Sequence, residues 1–516
     1  MSGGLVAAVP WYPLHFVPGS ALVSALPEVI VGVGMVLMLV ADLLVPPSRR
    51  SLLAVGAAAV LASALGAVVW QWAGAANAQA TFSGSFAADR FGLFADGLIL
   101  CTAIAVVMLS PRYLEDRGLH AGEYYILLLA SVVGMMTLAG GTNLIVIFLG
   151  VELLSIPLYV LAGFARDERR SQEAAVKYLL LGGFASAFLL YGMALVYGDT
   201  GQTNLAAIHH VLLKTVPAGH VGPLLIVGIG LIGVGLAFKV SAVPFQWWTP
   251  DVYEGSPMVV TTFMSVATKV AAFAAFLRVF STTFGAAQSD WTVPVALVAI
   301  ASMIFGNVVA LAQHSAKRML AYSGIAQAGY ILIGVALGQP DGTAAALYYL
   351  AAYTVMNTGA FGILTVLSRG GRECDDYRDL SGLGRREPLM AGLLSVFLLS
   401  LAGFPLTVGF FGKFFLFSAA IHDGQVPLAV WGVLTSAVSV FYYLRITVLM
   451  FARPAEGAWA GGAGVVSADE GQVGAVSRQA VSGRAVLLVA GDATLVLGVF
   501  PTVVYGIIQS IHVVIG

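Results

Sequence analysis

Charge is scarce in this sequence. Of 516 residues, 26 are acidic and 25 basic, 10% together, against 59% that are hydrophobic. Soluble chains carry about 25% charged residues, so a water-facing globular domain is excluded and a polytopic membrane protein is expected. The net charge of −1 singles out no partner, and nucleic acid is not expected among them. Cysteine is nearly absent too. Cys101 falls in an apolar stretch and Cys374 in a charged loop, without the spacing that zinc, haem or an iron–sulfur cluster needs. No GxGxxG opens a helix after a strand, and no histidines pair across apolar stretches. No cofactor and no metal are therefore expected in this chain. The first 20 residues hold no Lys or Arg, so a cleavable signal, which begins with a positive segment, is not expected.

Long apolar runs are what the chain has instead. Windows of about 20 apolar residues can cross the hydrocarbon core. They recur near 22–45, 51–72, 92–111, 123–140, 143–165, 173–198, 222–248, 258–284, 292–313, 319–338, 343–368, 388–419, 427–452 and 484–514, fourteen in all. The stretch from Pro454 to Gly483 is rich in Gly, Ala and Ser and reads as a mobile loop.

Loop charges test that count. With both termini outside, the inside loops hold Arg49, Arg50, Arg112, Arg117, Arg166, Arg169, Arg170, Lys317, Arg318, Arg369, Arg372, Arg378, Arg385, Arg386, Arg453, Arg478 and Arg484, against only Arg90 and Lys214 outside. The positive-inside rule demands such an asymmetry, and an even number of spans delivers it.

The six remaining basic residues, Lys177, Lys239, Lys269, Arg278, Lys413 and Arg445, lie within spans. Inserting such a charge costs about 2.5–3.5 kcal/mol on translocon scales, and an intramembrane charge is a functional candidate by default. Snorkelling from a helix end suits Arg278 and Arg445. It suits Lys239, Lys269 and Lys413 poorly. Lys177 is open between the two, because Glu173 one turn earlier forms an ordinary i,i+4 pair near the inside surface. Glu152, with Pro157 loosening its helix just beyond, is the one carboxylate deep in a span. Glu28, Asp42 and Asp96 lie nearer helix ends or in the peripheral first spans. A buried Glu needs a partner, and the buried lysines are the available ones.

Polar stripes accompany the charges. Thr262, Ser265 and Lys269 share a helix face, as do Tyr349, Tyr353 and Asn357. Hydroxyl stripes alone are ordinary helix-packing contacts; one that ends on a buried lysine suits a hydrated proton path. The seventh window pairs Lys239 with Pro244, which breaks or kinks the helix, and Trp247 and Trp248 follow as membrane-interface residues. The twelfth pairs Lys413 with Pro405. Each is fourth in a five-helix unit, so spans 4–8 and 9–13 form an inverted repeat with broken helices 7 and 12. The expected organisation is a three-helix peripheral segment (1–120), a first half-channel (121–285), a second (286–452), and a loop with the last span (453–516).

VELLSIPLY, LAFKVSAVPFQWWTPDVYEGSPMVVTTFMSVATKVAAF, KRMLAYSGIAQAGY and GFPLTVGFFGKFFLF resemble the antiporter-like membrane subunits of respiratory complex I over about residues 90 to 450. Within that family the chain is most similar to the N type, since Lys413 stands where the M type carries glutamate and no lateral helix follows the last span. The resemblance implies a bacterial inner (plasma) membrane protein that couples NADH-to-quinone electron transfer in partner subunits to proton pumping. Flavin, iron–sulfur clusters, NADH and quinone would belong to those partners, other antiporter-like subunits among them. It implies that Glu152 pairs with Lys239, that Lys177 helps set the pair, that Lys269 links the half-channels and that Lys413 is the outlet lysine. Gln327 departs from relatives that place a histidine there, so a proton passing it needs water. His314 and Lys317 are expected only at the surface. Two other readings stay open: a subunit of a multi-subunit sodium/proton antiporter, and a structural spacer.

Overall fold

The computed structural model describes residues 19–46, 51–74, 80–119, 122–215, 221–452 and 473–514. Arg49, Arg50, Arg453 and the 454–472 part of the Gly/Ala-rich loop lie outside the described residues. The chain is helical almost throughout, as it must be where no water can satisfy backbone groups. In order come α1 (Gly19–Ser24), α2 (Leu26–Leu44), α3 (Ser51–Trp72), a two-stranded hairpin of β1 (Ala80–Thr81) and β2 (Phe86–Ala87), α4 (Arg90–Asp116), α5 (Gly122–Gly140), α6 (Leu144–Ala162), α7 (Arg169–Thr200) and α8 (Leu205–Thr215). After these come α9 (Pro223–Val240), α10 (Trp248–Gly255), α11 (Met258–Phe276) continued by a π-helical turn over Leu277–Thr283, α12 (Gln288–Leu311), α13 (Ala316–Leu337) and α14 (Pro340–Leu367). The chain then runs through α15 (Tyr377–Leu380), α16 (Leu383–Arg386), α17 (Pro388–Ala402), α18 (Val408–His422), α19 (Val426–Phe451), α20 (Val473–Val499) and α21 (Pro501–Gln509).

Among the described residues, 12 helices are long and apolar enough to cross a membrane, and 13 if the bent pair Gly483–Val499 and Pro501–Gln509 is one crossing. The 388–419 window is divided between α17 and α18, each of 15 residues. The two stop at Gly403 and resume after Thr407.

Three helices form the axis. The apolar window of α11 is wholly buried, and those of α13 and α14 are 94% and 89% buried. Their sequences explain it: Ala, Gly, Ser and Thr let helices approach closely where lipid offers no hydrophobic drive. A Cβ on Gly306 of α12 would lie 2.5 Å from Ala326 N of α13, so side chain is excluded where those helices touch. α2, α7 and α19 face outward, with bulky residues such as Phe184 and Phe441 exposed.

Several sequence expectations shift here. Pro157 leaves α6 unbroken. The break after Lys239 comes at Ser241, whose left-handed φ of 65° ends α9, three residues before Pro244. Trp247 is exposed, but Trp248 is buried; it stacks on Tyr178 and Phe238 and donates Nε1–H to Phe238 O at 3.0 Å. It is a plug that adds a second donor to a carbonyl at the helix end, which also accepts from Ser241 N, and not an interface residue.

Arg278 does not snorkel. It is 0% exposed, forks onto Asp89 at 3.0 and 2.8 Å, and donates to Ala139 O and Val514 O. Asp89 also caps α4 through Gly92 N at 2.8 Å and accepts from Val514 N at 2.8 Å. Arg445 is exposed, its guanidinium 5.3 Å from the Tyr377 ring centre, as an interfacial arginine should be. Breaking a buried charge pair from one side costs about 3–5 kcal/mol. Asp89→Ala should therefore lower the thermal midpoint of the detergent-solubilised protein far more than Arg445→Ala does, as read by heat-induced aggregation.

Candidate functional site

The lysines of α9, α11 and α18 are buried, with Lys239 3%, Lys269 1% and Lys413 3% exposed. Each amine meets a polar oxygen. Lys239 sits in the last turn of α9 and donates to Ser155 Oγ at 2.7 Å, among the rings of Tyr159, Tyr178 and Phe238 at 5.7–5.9 Å. Ser155 is one turn beyond Glu152 on α6, on the same face. Glu152 lies within electrostatic range of the amine, but the two make no ion pair, and Glu152 Oε1 is buried without a hydrogen-bond partner. Ser155 was not legible as a site residue; its only sequence signal is the three-residue spacing from Glu152.

Lys413 reaches back across the break between α17 and α18. Its amine donates to Leu401 O and Ala402 O, both at 3.0 Å, and to Ser436 Oγ at 2.8 Å, 4.8 Å from the Tyr330 ring centre. Leu401 and Ala402 end α17, where the last carbonyls lack intrahelical partners and the helix dipole favours a cation. Lys269 donates to Gly324 O and lies 5.6 Å from the Tyr353 ring centre. A Cβ on Gly324 would sit 3.0 Å from the Lys269 amine, so glycine gives the lysine its room.

The two stripes face each other across α11 and α14. Asn357 donates to Ser265 Oγ at 2.9 Å and Tyr353 to Ser265 O at 3.1 Å; Thr262 meets Thr365 at 3.3 Å. Gln327 is a hub. It accepts from Tyr349 and donates to Leu401 O and Tyr443, each at 3.2 Å; Tyr443 in turn bonds Ser323. Leu401 O is thus shared by Gln327 and Lys413, and Ser323 is the neighbour of the Gly324 that holds Lys269. Tyr443, Ser323 and Ser436 were missed, because helical spacing does not say which faces of distant helices meet.

Lys177 stands apart from the buried row, about 40% exposed by its side chain. It pairs with Glu173 and Asp251, both at 2.7 Å, and Asp251 also takes Arg318 at 3.1 Å. These line a cavity of about 250 Å³ with Arg170 and Glu254. Burial would raise the Asp251 carboxyl, but Lys177 and Arg318 hold it below the usual aspartate range. Lys317, expected at the surface, is 0% exposed; it donates to Ser256 O at 2.5 Å and Glu373 at 2.7 Å. Glu373 accepts from Met258 N at 2.9 Å at the start of α11, and from Tyr113.

With that geometry in place, the comparisons decide the lineage. Residues 141–439 match the family model described as NADH:quinone oxidoreductase/Mrp antiporter, TM. Over 84% of this chain and 88% of the relative, it is 45% identical to NADH-quinone oxidoreductase subunit N of Trichlorobacter lovleyi. The chain belongs to the subunit N family. The subunit N of Halorhodospira halophila is 40% identical over 94% of this chain and 97% of its own. A chain of respiratory complex I from Thermus thermophilus with bound aureothin superposes with a TM-score of 0.77 at 34% identity, covering 94% of this chain and 100% of its own. A chain of the Mrp complex from Dietzia has a TM-score of 0.79 at 24% identity, over 95% of this chain and 96% of its own, and shows the shared fold.

The Glu373 cluster sets a pH expectation. Burial pushes the Glu373 carboxyl up, yet Lys317, Tyr113 and Arg117 outweigh it and hold it below the usual glutamate range. A carboxylate depressed in the folded state stabilises fully above its unfolded pKa, about 4.3, and that stability drains away as pH falls through the folded value. Glu373→Gln should lower the thermal midpoint at neutral pH and remove part of its decline between about pH 5 and 3; a decline of wild-type steepness would refute the assignment.

Proposed function

We propose that this subunit N homologue is a proton-translocating membrane subunit of an NADH–quinone oxidoreductase, with Glu152, Lys177, Lys239, Lys269 and Lys413 as its relay. The observation that carries the relay is the hydrogen-bonded array from Lys413 through Leu401 O, Gln327 and Tyr443 to Ser323, beside the Gly324 carbonyl that holds Lys269. Two amines that can each carry a proton are thereby linked across the axis of the protein. Gln327 does not titrate. It orients Tyr443 and Tyr349, and water must complete the transfer.

Between Lys239 and Lys269 no side-chain hydrogen bond among the described residues forms such a link, so transfer there requires transient hydration. Glu152 supplies the drive. At an effective dielectric near 20, charges about 4 Å apart interact by roughly 4 kcal/mol, and at about 8 Å by half that. Moving Glu152 toward Lys239 favours the ammonium; moving it away, with Ser155 left as the amine's acceptor, favours release. Lys177, held between Glu173 and Asp251, can draw Glu152 or leave it.

The same proposal takes the chain as fourteen crossings with both ends outside, in a bacterial plasma membrane. The split pair α17 and α18 supplies one crossing, and α20 with α21 another. Spans 4–8 and 9–13 then form inverted units, each with a break beside a buried lysine. The flavin, clusters, NADH and quinone belong to partner subunits, among them other antiporter-like subunits.

Lys239→Met in inverted vesicles should assemble normally and lower the proton-to-electron ratio; a wild-type ratio would sink its role. Gln327→Leu should slow pumping by about tenfold or more if it organises a proton transfer worth 10²–10⁴-fold, whereas Gln327→His should retain most of it. Equal pumping in both variants would remove Gln327 from the path.

A further inference from the structure

A second pair of buried ionisable groups lies away from the lysine row. Glu28 in the first turn of α2 is 9% exposed and Asp96, early in α4, 2% exposed. Their carboxyl groups are within hydrogen-bond reach of each other. Glu28 Oε2 and Asp96 Oδ1 are each buried with no hydrogen-bond partner among the described residues. An ionised carboxylate only accepts, so two ionised groups in this position would repel without a hydrogen between them, in a place where water cannot relieve the repulsion.

The remaining charged groups facing the pair are Asp89 and Arg278. That guanidinium is committed, since it forks onto both oxygens of Asp89 and donates to Ala139 O and Val514 O. Its pull on Asp96 is opposed by the Asp89 carboxylate that it pairs with. Glu28 accepts from its own backbone N–H at the positive end of α2, where a negative charge is favoured. Asp96, seven residues into α4, has no such donor.

We propose that Glu28 and Asp96 form a proton-binding site that holds one shared proton, resident on Asp96 and donated to Glu28. The pair takes its proton from hydronium: one hydronium O–H breaks and leaves water as the Asp96 O–H forms, and the Glu28 carboxylate accepts its hydrogen bond. Two like groups this close titrate as a unit, the second proton binding well apart from the first.

The test is infrared spectroscopy of the intact membrane assembly carrying this subunit, reconstituted in nanodiscs at neutral pH. Wild type minus Asp96→Asn should show one protonated-carboxyl C=O band lost from the variant. Glu28→Gln should shift that band without removing it, since the proton stays on Asp96 while its acceptor changes. Replacing sodium chloride by choline chloride should leave the band in place. No band lost in Asp96→Asn, or no shift in Glu28→Gln, overturns the proposal. A band that appears only when sodium is withdrawn identifies a cation site instead and overturns it equally. Should Asp96→Asn fail to assemble, the shift in Glu28→Gln decides alone.

Discussion

A charge inside a membrane protein must be met by something already polar, and the backbone is the largest polar store the chain owns. Intact helices spend that store on themselves. This protein releases part of it by stopping helices within the membrane. α9 ends at Ser241, one residue past the turn that carries Lys239, and α17 ends with the carbonyls that hold Lys413. Without the second interruption Lys413 would face only a ring and a hydroxyl, the surroundings that Lys239 has beside the first.

The surroundings serve the same constraint. Trp248 fills the gap left by the first break and donates to one of its carbonyls. Glycine at 324 opens a carbonyl of an otherwise continuous helix to Lys269. The contrast with Arg278 is instructive: its every face is matched, by a carboxylate and two carbonyls, and such a group is held too firmly to exchange protons or partners. Lys239, Lys269 and Lys413 are matched by neutral oxygens instead, which stabilise a cation without locking it.

Much of this was legible before the fold. Apolar windows locate the helices because the bilayer enforces a length, and Lys239, Lys269 and Lys413 stand out because charge there is costly. The two polar stripes were visible and do face one another. Other features were not. Local spacing says which residues share a face, but not which face of another helix receives it, so Ser155, Tyr443 and Ser436 escaped notice. Lys317 and Trp248 were misread because adjacency to loops suggests exposure, whereas the α10 segment folds inward and buries both. Arg278 was misread for a related reason: its carboxylate, Asp89, lies 189 positions away.

That long-range fastening has a consequence for how the chain is made. Asp89 receives Arg278 and the backbone of Val514 together, so a residue made early in synthesis is completed only by one made 425 positions later. Until then a charged aspartate and arginine wait with their final partner missing. The bundle can be threaded into the membrane span by span, but it is buckled shut in one late act.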